Sequence, residues 1–337
     1  MQTAKNILIT TGIYPPKFGG PAQYAKNLKI AFEKEKHNVV VKTFSFEDYL
    51  PSGLRHLFFF FKIIPSAIKS DAVFIFDTFS VGLPSVAVCK IFGKKAIIRT
   101  GGDFLWEQYV ERVGRDVLLS TFYKKEKNNF SLKEKIIFGL TKWTLKNTTR
   151  IIFSTEWHRD IFIDAYGLDK SKTDIVENYY GPKESDTEPS NKTFIASTRK
   201  LKWKKLGTLE KVFGDIKSGG YDIELMMKNM PFTELMDELR KSYAVILVSL
   251  GDISPNLILD AIRFNKPFIC TRETGIYERI KDAGTFVDPL NESEIKSAVL
   301  KFLDVAEYAK AREKVRNFNF THTWDEIALE FLSVYNK

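Results

Sequence analysis

Cysteine and histidine are both scarce in this 337-residue chain, at two and four residues. Cys89 and Cys270 stand far apart, each in an apolar stretch. That excludes a disulfide framework and a cysteine zinc site, and predicts buried, reduced thiols. His37, His56, His158 and His322 are scattered without metal-ligand spacing, so no metal is expected. His158, behind a predicted strand, is read as a structural or surface residue. No stretch approaches the roughly 18 apolar residues of a membrane span. The opening MQTAKNILITTGIY lacks the longer apolar core of a signal peptide, so a cytoplasmic chain is expected. Gly-x-Gly-x-x-Gly and the Walker A loop are missing too, which counts against a nicotinamide dehydrogenase.

What is present is ordinary for a folded protein, with 44% hydrophobic and 28% charged residues. The length suggests two domains. Formal net charge is +9 and is unevenly placed: residues 1–180 hold 27 basic and 18 acidic side chains, residues 181–337 hold 24 of each. A basic half fits an anionic partner or a lysine-rich soluble surface equally well.

Short β-branched runs alternate with amphipathic segments, which predicts parallel sheets covered by helices on both faces. Expected strands are Asn6–Thr11, Asn38–Thr43, Ala72–Phe76, Ala96–Thr100, Ile151–Ser154 and Asp174–Glu177, then Thr193–Ser197, Asp222–Met226, Ala244–Val248, Pro267–Cys270 and Thr285–Val287. The polar, turn-rich residues 181–191 read as the linker between two doubly wound domains. Ligands of such sheets bind beyond the carboxyl ends of the strands, so the loops there deserve scrutiny.

Four loops stand out. Gly19-Gly20 precedes a predicted helix and suits either a tight turn or close approach to an anion at the helix start. Asp103 follows Gly101-Gly102 at a strand end, where it can cap a helix or reach a sugar hydroxyl. Arg199, Lys200, Lys202, Lys204 and Lys205 place five cations within seven positions, and the strand-end position favours phosphate binding over a merely solvated loop. Ser254-Pro255-Asn256 opens a helix, with Asp252 in the loop before it and Asp260 two turns in. Two carboxylates so placed can hold hydroxyls on one ligand, or simply cap and solvate.

Together these segments resemble glycosyltransferase family 4, retaining enzymes of the GT-B fold that use nucleotide-sugar donors. The resemblance rests on Tyr14-Pro15-Pro16 followed by Gly19-Gly20, on Asp252 to Asp260 in place of a Glu-x7-Glu element, and on Trp324-Asp325-Glu326-Ile327-Ala328 through Tyr335 as the last helix. It implies two Rossmann-like domains facing a cleft: residues 1–185 on the acceptor side, 186–320 for the nucleotide sugar, and 321–337 as a helix returning to the first domain. It further implies a metal-independent transfer to an acceptor hydroxyl of a glycan or lipid-linked glycan, as in cell-envelope polysaccharide synthesis. Arg199 with Lys204 or Lys205 would face the leaving diphosphate, helped by backbone N–H groups near Ser254, Pro255 and Asn256. Asp252 would hold sugar hydroxyls, Asp260 the ribose, and Asp103 the acceptor side, while Gly19 and Gly20 would let the first domain close on the diphosphate.

Both expected glutamates are aspartates here, a methylene shorter each, which keeps open a non-catalytic nucleotide-sugar-binding or partner subunit. The stretch Leu57-Phe58-Phe59-Phe60-Phe61 is read as a helix buried on the sheet, since both its faces are apolar. Peripheral contact with an anionic membrane is the alternative. Nucleic acid is not expected, because the basic residues form no recognisable binding module.

Overall fold

The computed structural model describes residues 4–337 apart from Phe18, Ser197–Arg199 and Asn229. The chain begins β1 (Asn6–Thr11), α1 (Gly20–Lys34), β2 (Asn38–Thr43), α2 (Ser52–Lys69), β3 (Ala72–Phe76), α3 (Gly82–Ile91) and β4 (Ala96–Thr100). It continues with α4 (Phe104–Val113), α5 (Phe122–Glu126), α6 (Leu132–Asn147), β5 (Arg150–Phe153), α7 (Glu156–Tyr166) and β6 (Thr173–Ile175). Next come β7 (Thr193–Ile195), α8 (Leu206–Ser218), β8 (Glu224–Met226), α9 (Phe232–Lys241), β9 (Ala244–Leu247) and α10 (Asn256–Arg263). It ends with β10 (Phe268–Thr271), α11 (Tyr277–Ile280), β11 (Thr285–Val287), α12 (Glu292–Leu303), α13 (Val305–Arg316) and α14 (Trp324–Asn336).

Two compact units result. One comprises residues 1–105, 128–178 and 322–337; the other comprises 106–127 and 179–321. The chain thus crosses after Asn178 and Thr321, and a segment from the middle of the first half joins the second unit.

The first unit is built on six parallel strands in the order β2-β1-β3-β4-β5-β6. Every residue of β3 and β4 is buried, as a sheet covered on both faces requires. Ile9 stands beside Phe74 and Ile98 beside Ile151 in the register. Strand order reverses between β1 and β3, so the loops after those strands diverge and leave a crevice at the sheet's carboxyl edge. Helix α14 starts at a Thr323–Glu326 capping box and packs on α1. Its Phe331 is fully buried and meets the rings of Phe32, Phe74 and Phe76 at 6.4, 5.3 and 6.1 Å.

Helix α2 corrects an expectation. Phe59, Ile63 and Ala67 are buried as anticipated, but Leu57, Phe58 and Phe61 are 51%, 50% and 61% exposed. Apolar periodicity on two faces located the helix, yet only one face has protein to cover it.

The second unit carries five parallel strands in the order β11-β10-β9-β7-β8, with Ile195 beside Val245. Alternate residues feed two cores: Ile195, Val245 and Leu247 pack with α10 on one face, and Phe194, Ile246 and Val248 with α8 and α12 on the other. Here order reverses between β7 and β9, so the loops after these two strands share the ligand-accepting edge. Cys89 and Cys270 are buried and free.

Candidate functional site

The loop after β7 holds the lysine cluster, and the loop after β9 holds Asp252. Lys204 is buried, and its Nζ donates to Asp252 Oδ2 at 2.5 Å. The ammonium also lies 4.2 Å from the centre of the Trp203 ring, whose face favours a cation. Lys205 adopts a left-handed conformation (φ 53°) just before α8, and its Nζ donates to Asp116 Oδ2 at 2.7 Å. Two of the expected phosphate ligands are therefore answered by internal carboxylates. Arg199 lies outside the described residues.

Asp116 belongs to the segment 106–127, which no sequence motif marks. The Lys202 backbone donates to Glu111 Oε1 at 2.7 Å, and Ser120 Oγ donates to Glu273 Oε1 at 2.9 Å. Leu119 N–H donates to the Leu250 carbonyl, and Leu250 N–H to that of Trp203. Gly251 makes this docking feasible: a Cβ there would stand 2.5 Å from Leu119 Cβ and 3.1 Å from the Trp106 ring. Beside these contacts lies a cavity of about 440 Å³ lined by Gly114, Arg115, Asp116, Lys200, Lys202 and Lys205, among others. Among the described residues, Lys205 is the one expected donor ligand that lines it.

Helix α10 begins after Pro255 without a side-chain cap. The first N–H groups of the helix, at Asn256 and Leu257, thus present its positive end to a ligand, while Ile258 and Leu259 donate to the Pro255 carbonyl. Asp260 sits further along α10, partly buried, and among the described residues no group donates a hydrogen bond to its carboxyl oxygens. Burial pushes its carboxyl up to about 7, with Arg263 lowering it and Glu184 raising it. Arg263 is itself bonded to Glu184, which dilutes its help to Asp260.

A raised carboxyl favours the neutral form in the fold, so its stabilising contribution is complete below the ordinary value near 4 and is lost as pH rises through about 7. Wild-type stability should fall between those values by up to about 1.4 kcal/mol per pH unit from this group. Asp260→Asn should flatten that slope, leaving the variant the more stable of the two at pH 8 but not at pH 4. Urea midpoints across this range check it; parallel wild-type and variant curves would rule it out.

In the first unit, Gly19 has φ 150° and immediately precedes α1, and a Cβ there would lie 2.9 Å from Ile13 Cδ1. Gly20 is exposed and no side chain caps the helix, so its start is open at the carboxyl edge. Asp103 directly precedes α4 and is buried. His158 is fully buried against Phe153 and Phe162; burial first, then Arg99, pushes it down to about 3, so it stays neutral and structural.

No protein-family model matches the chain, and no curated protein matches its sequence. Solved structures do. Sucrose-phosphate synthase from Thermosynechococcus elongatus is similar with a TM-score of 0.69 at 12% identity, over 98% of both chains. WaaG, a glycosyltransferase involved in lipopolysaccharide biosynthesis, gives 0.69 at 12% identity over 98% of this chain and 99% of its own. Anabaena HepE, solved with UDP-glucose, gives 0.65 at 14% identity over 98% and 99%. At these identities the likeness concerns the fold: the chain has the paired parallel-sheet architecture of the GT-B glycosyltransferases, as its motifs led us to expect.

Proposed function

We propose that this protein is a glycosyltransferase of the family 4 type. It moves a sugar, with retention, from a nucleoside-diphosphate sugar to a hydroxyl of a glycan or lipid-linked glycan on the cytoplasmic side of an envelope. The observation that carries this reading is the meeting of Lys204 with Asp252 at the point where strand order reverses, in a fold shared with HepE, which has been solved with UDP-glucose.

The chemical problem is negative charge growing on the departing diphosphate as the sugar becomes cationic. Fixed cations answer it without a metal: Lys204, Lys205 and Arg199, joined by the backbone N–H groups that start α10 at Asn256, beside Ser254 and Pro255. Asp252 holds sugar hydroxyls, Asp260 takes the ribose hydroxyls in its ionised form, and Asp103 serves the acceptor side. Gly19 and Gly20 keep the first unit's crevice open to the donor. Since Asp116 already occupies Lys205, an incoming diphosphate must displace it. Asp116→Asn should therefore tighten nucleoside-diphosphate binding about two- to fivefold, the scale of an exposed ion pair, read by calorimetric titration with UDP or ADP. Unchanged or weaker binding would remove Lys205 from the phosphate site.

The decisive experiment is a thermal-shift screen of nucleotide sugars followed by a transfer assay with the responsive donor. A donor at 100 times its dissociation constant should stabilise the fold by about 2.7 kcal/mol. Binding without turnover towards any acceptor or water would favour the second reading, a non-catalytic nucleotide-sugar-binding subunit, which the paired state of both lysines and the two shortened carboxylates support. No binding at all would reject both.

A further inference from the structure

The exposed side of α2 is not a scatter of single apolar residues. Leu54, Leu57, Phe58, Phe61 and Ile68 fall at helical spacing on one outward stripe. Helix α3 packs between α2 and α6, and α6 presents Leu132, Ile136 and Trp143 to solvent in the same way. An apolar layer this broad is unusual on a soluble surface and calls for something to cover it.

Charge identifies what. Helices α2, α3 and α6 contain eight Lys or Arg and one acid, Glu134. That glutamate is buried and spent in the α6 capping box with Ser131. Arg55 is turned inward onto backbone carbonyls, and Lys62 onto carbonyl, hydroxyl and the Glu47 carboxylate. Lys69, Lys133, Lys135 and Lys146 remain exposed among or beside the apolar side chains. Lys90 reaches over Trp143, 5.9 Å from its ring centre, and bonds to Asn147, joining the ends of α3 and α6.

From this face we infer that the first unit docks on an anionic lipid bilayer, with α2, α3 and α6 lying in the interface. Aromatic and aliphatic side chains enter the headgroup–acyl boundary while the lysines meet lipid phosphates. A second copy fits worse, since a twofold contact through this face would set basic surface against basic surface. The inference uses only this layer and stands whether or not the proposed transfer is correct.

The test is co-sedimentation of the full chain with vesicles of phosphatidylcholine alone or mixed with phosphatidylglycerol. We expect at least about tenfold stronger partitioning onto the anionic vesicles, weakened by salt. Phe58→Ser/Phe61→Ser should lower partitioning at least about tenfold, with circular dichroism, unfolding midpoint and nucleotide binding unchanged because both rings are exposed. Lys133→Glu/Lys135→Glu should abolish the preference for anionic vesicles. Failure of the wild type to bind them, or wild-type binding by the phenylalanine variant, would overturn the inference. So would a dimer in analytical ultracentrifugation that the phenylalanine variant dissolves, which would make the face a subunit interface.

Discussion

Lys204→Ala should lower the turnover of sugar transfer by about 10²- to 10³-fold, the usual cost of deleting one preorganised charge at a developing anion. Three features favour Lys204. It is buried, so its field is little screened by water. It is held by Asp252 and by the Trp203 ring, so it needs no reorganisation to act. Its loop and that of Asp252 follow the two strands between which the sheet order reverses. Because the charge matters most as the diphosphate departs, kcat should fall more than KM rises. Lys204→Arg should recover part of the loss, with the guanidinium too bulky for the same pocket. Lys205→Ala, at a more exposed pair, should cost less. Steady-state rates of both alanine variants decide the matter. A near-normal Lys204→Ala beside a crippled Lys205→Ala would move the phosphate clamp one residue along and to the cavity beside Asp116.

Much of this site could be seen in the sequence because its parts are local. Asp252 and Asp260 are set by one loop and one helix, and the lysine cluster by the loop after a strand whose apolar run is unmistakable. Strand β3 ends where its apolar run ends, since burial on both faces leaves no polar position inside it. The pairing of Lys205 with Asp116 was not visible: 89 residues separate the partners, and nothing local in residues 106–127 says that they join the second unit. Gly251 looks like any loop glycine until Leu119 and Trp106 are seen pressing on it. Helix α2 shows the limit from another side. Periodicity reports which positions are apolar but not what covers them, so a core face and a docking face read alike.

The largest loss of stability should come from Phe331→Ala, at about 3–5 kcal/mol, the range for emptying a buried aromatic site. Phe331 is fully buried, and Tyr24, Phe32, Phe74 and Phe76 all lie within 6.4 Å, ring centre to ring centre. Three of these contacts are edge-on and one tilted, arrangements that add to simple burial. The partners come from α1 and β3, so the ring joins a helix formed by the end of the chain to the sheet formed by its beginning. Rigid aromatic neighbours cannot collapse far into the space left behind, which places the cost towards the upper part of the range. Leu329→Ala, on the exposed side of the same helix at 49% exposure, should change stability by no more than about 0.5 kcal/mol. It also controls for helix propensity, since alanine is favourable in either position. Urea unfolding of the two variants, followed by circular dichroism, gives the comparison. If Phe331→Ala unfolded within 1 kcal/mol of Leu329→Ala, α14 would be fastened elsewhere, with Trp324 against Tyr24 at 5.0 Å and the Thr323–Glu326 capping box the remaining anchors.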